Sequence, residues 1–205
     1  MTASSPPTFP RHDPATADFW EVRYREAFAP WDAGGVPDSL NQWATALPSP
    51  PGDVLIPGCG SAWELAFMAE LGWPATAIDF SPAAVAAARK VLGIHADKVR
   101  EADFFGDALQ PDSFDLIYER AFLCALPRRL WQDWAARCHA LLRPGGCIAG
   151  FFYADDSERG PPFGLRAGEL DALMRGRFTL ESSTVPTDSI DVFRGKECWM
   201  VWRRT

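Results

Sequence analysis

The stretch from Asp53 to Pro82, DVLIPGCGSAWELAFMAELGWPATAIDFSP, constrains the fold more than any other part of the chain. Val54-Leu55-Ile56 is an apolar run bounded by proline, which predicts a buried strand. Gly58-Cys59-Gly60 then turns tightly and leaves two positions without side chains, so a ligand can approach the main chain. Ser61 followed by Glu64 is a capping-box pattern, predicting a helix that carries Leu65, Phe67, Met68 and Leu71. A second apolar run, Ala75 to Ile78, ends at Asp79, and Ser81-Pro82 supplies the cap and first residue of another helix. Strand, glycine turn, helix, strand and acidic tip make one nucleotide-binding βαβ half.

The order of these pieces narrows the ligand. A helix N-terminus favours an anionic group, and an acid at the second strand tip accepts hydrogen bonds from a ribose diol. Asp79 stands about twenty residues beyond the first glycine, as dinucleotide sites require. The third glycine of G-x-G-x-x-G is replaced by Trp63. That bulk argues against a packed pyrophosphate, hence against NAD. It is compatible with S-adenosyl-L-methionine (SAM), which has ribose and adenine but no phosphate.

Composition sets the remaining bounds. At 205 residues and 47% hydrophobic content the chain can bury a full core. A net charge of −7 disfavours nucleic acid as a partner. No apolar run is long enough for a membrane span, and the first fifteen residues lack an apolar signal core, so a cytoplasmic protein is expected. Cys59, Cys124, Cys138, Cys147 and Cys198 are odd in number and scattered, which reads as free thiols, and no metal site is expected.

Residues 1–15 are rich in Pro and Ser and read as disordered; 16–205 read as one domain, with 16–47 as a helical N-terminal cover. An aromatic stripe, Phe19, Trp20, Tyr24 and Phe28, predicts a helix over 16–28, and Trp31 lies in a Gly-rich loop beyond it. A second helix is expected from Pro37-Asp38. Further strands are predicted at 99–102, 114–118 and 147–153. Helices are predicted at 82–92, around 130–142 and at 167–174. The segment DDSERGPPFG reads as a lid, and strands at 178–184 and 197–202 as a hairpin closing the sheet edge.

The runs IPGCGSAWE, AIDFSP, EADFF, FDLIYERAFLCAL, LLRPGG and GPPFG, in that order, resemble the thiopurine methyltransferase-like SAM-dependent methyltransferases, a group that includes halide and thiol methyltransferases. The likeness spans about Phe19 to Arg203. It implies a Rossmann-like class I methyltransferase fold with a seven-stranded, mainly parallel sheet and an antiparallel C-terminal hairpin. SAM is then the cofactor, with S-adenosylhomocysteine (SAH) as product. Cofactor contacts are implied for Trp20, Tyr24 and Trp31 in the cover and for Gly58 and Gly60 at the methionine part. They are implied also for Asp79 at the ribose, for its neighbour Phe80, for Asp103 and Phe104 at the adenine, and for the pair Glu119-Arg120. Arg120 is implied also to orient the acceptor, a small soft nucleophile such as a thiol, sulfide or thiopurine-like thiol. Halide or thiocyanate methylation, a non-catalytic SAM-binding protein and a nicotinamide oxidoreductase are the alternatives, and a monomer is expected.

Overall fold

The computed structural model describes residues 9, 10 and 12–205. Most of the N-terminal stretch expected to be disordered lies outside these residues. Helix α1 (Ala17–Arg25) and helix α2 (Asp38–Ala46) precede strand β1 (Val54–Pro57), helix α3 (Trp63–Glu70), strand β2 (Ala75–Asp79) and helix α4 (Pro82–Leu92). Strands β3 (Val99–Glu101) and β4 (Phe114–Arg120), helix α5 (Trp131–Leu141), strand β5 (Leu142–Tyr153), helix α6 (Glu169–Met174) and strands β6 (Phe178–Thr184) and β7 (Glu197–Arg204) follow.

One seven-stranded sheet runs in the order β3-β2-β1-β4-β5-β7-β6. Strands β1 to β5 pair in parallel, and β7 pairs antiparallel with both β5 and β6. The C-terminal hairpin therefore folds back between β5 and the edge: β6 is the edge strand and β7 is internal. Their residues fit those places. Every residue of β6 after Phe178 is exposed, whereas β7 buries Trp199, Val201 and Trp202.

Alternating residues of each central strand face two apolar layers, which is why these strands read as continuous apolar runs. Val54, Ile56, Leu116, Tyr118, Ala149 and Phe151 pack with Leu40, Leu65, Met68 and Val85 on one side. Leu55, Ile78, Ile117, Ile148 and Phe152 pack with Trp134, Leu141, Leu173 and Met174 on the other. All parallel strands thus deliver their carboxyl ends to one edge, where a ligand site in such a sheet belongs.

Two local expectations are corrected. Ser61 does not cap α3: its hydroxyl donates to Asp32, Ala62 takes the N-cap position in a left-handed conformation (φ 56°), and the helix starts at Trp63. Strand β5, expected at 147–153, already begins at Leu142, so Pro144-Gly145-Gly146 lies inside it. There the register with β4 jumps from Phe114 opposite Leu142 to Leu116 opposite Cys147, so these residues bulge out of the ladder. Ser81 caps α4 as expected, accepting from the Ala84 N–H at 3.2 Å, with Pro82 at the first position.

Candidate active site

A cavity of about 530 Å³ opens at the carboxyl ends of β1, β2 and β4, a volume typical of small-molecule sites. Its walls include Trp20, Tyr24, Trp31, Gly58, Gly60, Asp79, Phe80, Asp103, Phe104 and Arg120. The structure thus brings together every residue singled out from the sequence except Glu119. That side chain is buried away from these walls, and its Oε1 accepts the N–H groups of Phe122 and Leu123 at 2.9 Å each. Burial pushes its carboxyl up to about 7, against the pull of the two amides. Glu119 therefore fixes the loop after β4, the same loop that carries Phe122, Cys124 and Ala125 to the cavity wall.

The glycine turn leaves no room for side chains. Gly58 and Gly60 both have positive φ (57° and 50°). A Cβ at Gly58 would lie 2.4 Å from the Phe122 ring, and one at Gly60 would lie 2.5 Å from the Tyr24 hydroxyl. Asp79 is held by main-chain donors from both flanks, Gly60 N–H at 3.2 Å and Ser81 N–H at 2.9 Å. Burial raises its carboxyl to about 6 despite those bonds. Its oxygens retain lone pairs able to accept from a diol. Past β3, Phe104 packs edge-on to Phe105 and Phe122, and Arg137 donates to the carbonyls of Phe104, Gly106 and Leu109, fixing this turn from behind.

The cover docks through two carboxylates that no sequence motif singles out. Asp32 accepts from Ser61 Oγ and from Trp63 Nε1 at 2.9 Å. Glu21 accepts from Ser81 Oγ at 2.7 Å and from Ala83 N–H at 2.8 Å. Inside this clasp, Trp31 meets Trp20 and Tyr24 edge-on, and its Nε1 donates to the Tyr24 hydroxyl at 3.3 Å. Pro161 and Pro162 of the expected lid, with Phe193, add to the cavity wall.

Arg120 does not pair with its chain neighbour Glu119. Its Nη1 donates to Glu197 Oε1 at 3.3 Å, and its guanidinium stacks 4.1 Å over the Phe151 ring. Its Nη2 is buried and has no acceptor among the described residues. Glu197 begins β7, and burial holds its carboxyl above the usual range, against the pull of Arg120. A glutamate at the head of the otherwise apolar run CWMVW was the signal that could have revealed it.

This arrangement fits SAM and not a dinucleotide. Asp32 clasps the turn, and Glu64 lines the cavity from the start of α3, so a pyrophosphate there would face two carboxylates. Trp63, fixed by Asp32, also fills the place a third glycine would leave open. A glycine turn after β1, an acid ending β2 and an antiparallel β7 in this strand order define a class I SAM-dependent methyltransferase.

Comparison with known proteins agrees. A family model described as thiopurine S-methyltransferase matches residues 15–204, and the chain belongs to that family. It is 26% identical over 194 residues to thiocyanate methyltransferase 1 of Arabidopsis thaliana, covering 90% of this chain and 84% of that protein. Identity to a thiopurine S-methyltransferase of Pseudomonas fluorescens is 28% over 182 residues, 80% of this chain and 84% of that protein. Among solved structures, a 1,6-didemethyltoxoflavin N1-methyltransferase of Burkholderia thailandensis, with SAH bound, superposes with a TM-score of 0.73. It shares 20% identity over 98% of this chain and 94% of that one. The chain is thus an enzyme that transfers a methyl group from SAM.

Proposed function

We propose that the acceptor is a small, largely apolar thiol, foremost an aromatic or thiopurine-like one, methylated on sulfur beside Arg120. The observation that carries this reading is a guanidinium, its side chain only 11% exposed, at the wall of a cavity also lined by Phe122, Leu126, Leu130 and Pro161. Such a surface suits an organic ring, and a fixed cation beside it favours thiolate over thiol. SAM supplies a methyl group already activated on a sulfonium sulfur, so the acceptor lone pair forms the new C–S bond as the old one breaks, leaving SAH and a released thiol proton.

The residues divide the remaining work. Main-chain groups at Gly58 and Gly60 meet the methionine part, Asp79 accepts from the ribose hydroxyls, Phe80 lines the same cavity, and Asp103 and Phe104 hold the adenine. Trp20, Tyr24 and Trp31 exclude water, and Arg120 orients the thiolate in line with the methyl group. No dedicated base is needed, because a thiol titrates at about 8.5 unaided.

Thiocyanate or a halide is the second reading, favoured by the plant relative and by the same cation. The rest of the proposal is a cytoplasmic monomer without a nucleic-acid partner. No helix among the described residues is long and apolar enough to cross a membrane, and the cysteines are free thiols, which suit a reducing compartment. Incubation with methyl-labelled SAM and a panel of aromatic thiols, aliphatic thiols, sulfide, thiocyanate and iodide tests the acceptor. Fastest transfer to an aromatic thiol is expected; transfer confined to the inorganic anions would replace the reading.

A further inference from the structure

Four carboxylates stand on the wall of the cavity, at Asp32, Glu64, Asp79 and Asp103. Three have donors within the fold. Asp32 takes Ser61, Trp63 and the Gly34 N–H; Asp79 takes Gly60 and Ser81; Asp103 takes the Phe105 N–H at 2.9 Å. Glu64 differs. The Tyr118 hydroxyl lies beside it as a donor without closing a hydrogen bond, no main-chain N–H of another residue among the described ones reaches it, and the cation that acts on it, Arg120, is engaged with Glu197. Glu64 is only 9% exposed, at the start of α3 and immediately after the glycine turn.

Charge around it is unbalanced. Besides Glu64 and Glu197, the carboxylates of Glu119 and Asp188 lie within the field of the single Arg120 guanidinium. Burial holds the Glu64 carboxyl above its usual range, and the adjoining Tyr118 hydroxyl is buried with no hydrogen-bond partner among the described residues. A buried acid left in this state calls for a cation from outside the chain. Strand β1 ends Val-Leu-Ile-Pro and offers no acid of its own at the turn.

We propose that Glu64 receives the α-ammonium group of the SAM methionine moiety. The inference rests on SAM being the cofactor and is independent of the acceptor. A competing role is that Glu64 merely complements the positive end of α3, as an acid in a first helical turn does. The two roles make different demands on the ligand, because helix complementation is indifferent to an amine.

Calorimetric titration with SAH and with its analogue lacking the α-amino group separates them. Wild-type protein is expected to bind SAH at least about tenfold more tightly than the analogue. In Glu64→Gln the SAH affinity is expected to fall by about tenfold while that of the analogue changes by less than about twofold, so the preference disappears. Equal weakening of both ligands, or an unaltered preference, would overturn the assignment. If Glu64→Gln does not fold, the wild type alone decides, since equal affinity for the two ligands contradicts the proposal. Failure of wild-type protein to bind SAH at all would remove the cofactor reading and this inference with it.

Discussion

The two ends of the cavity are built in different ways. At the β1 and β2 tips the fixed parts come from one stretch of about thirty residues: the Gly58–Gly60 turn, Asp79 nineteen positions on from Gly60, and Ser81. At the β4 tip the fixed part is Arg120, held by Glu197 across 77 positions and stacked on Phe151 of a neighbouring strand. The first end is set by local backbone geometry, the second by side chains that meet only once the sheet has closed. A change at the first end should therefore weaken a ligand and spare the fold, while a change at the second should strike the fold first.

That contrast can be broken by measurement. The largest effect is expected at Arg120. Arg120→Met leaves Glu197 buried without its cation and should cost about 3–5 kcal/mol of stability, read from urea unfolding. Adding Glu197→Gln should recover most of the loss, because the stranded charge is gone. Full stability in Arg120→Met would mean that the pair contributes nothing to the fold.

Next in size is Gly58→Val, at a position with φ of 57° whose Cβ would press on Phe122. SAH affinity is expected to fall by roughly a hundredfold or more, since left-handed backbone disfavours a branched side chain and the added carbons fill the approach to the main chain. Calorimetry showing wild-type affinity would remove the turn from the site.

A smaller effect concerns protons at Asp79. Its carboxyl titrates at about 6 in the folded chain against 3.8 ordinarily, because burial favours the neutral form. By itself this contributes stability that is complete below 3.8 and is lost as pH rises through about 6. Binding runs the other way, because accepting from two ribose hydroxyls requires the ionised form. The rise in Tm caused by SAH should therefore grow as pH climbs through about 6 and shrink below it, by at most about tenfold in affinity per pH unit. Asp79→Asn should abolish that pH dependence. A protection by SAH that is flat in pH would place the ribose elsewhere.

Legibility in the sequence followed the same division. The β1-α3-β2 unit, the Ser81 cap and the acid at the β2 tip were readable because each is a short-range pattern with a local physical cause. What escaped was non-local. Asp32 reaches Trp63 across 31 positions, and Asp188 accepts from Ser39 across 149, so no spacing rule could have joined them. Glu64 shows the converse failure. Its spacing from Ser61 satisfied a capping pattern, yet Asp32 takes the Ser61 hydroxyl, and the glutamate is left facing the cavity. Glu119 was grouped with Arg120 by the family resemblance, but successive strand residues point to opposite faces, so only one of them could line the cavity.

The central claim is that one end of the cavity holds SAM and the other receives a thiolate. It is tested most directly by measuring kcat/KM for one aromatic thiol against pH, alongside SAH affinity. The enzymes to compare are wild type and Arg120→Met in the Glu197→Gln background. The expected result is a loss of kcat/KM that is largest below the thiol's pKa and shrinks above it, with SAH affinity changed by less than about threefold. Lost SAH affinity with an unaltered pH profile would contradict the account and assign Arg120 to the cofactor.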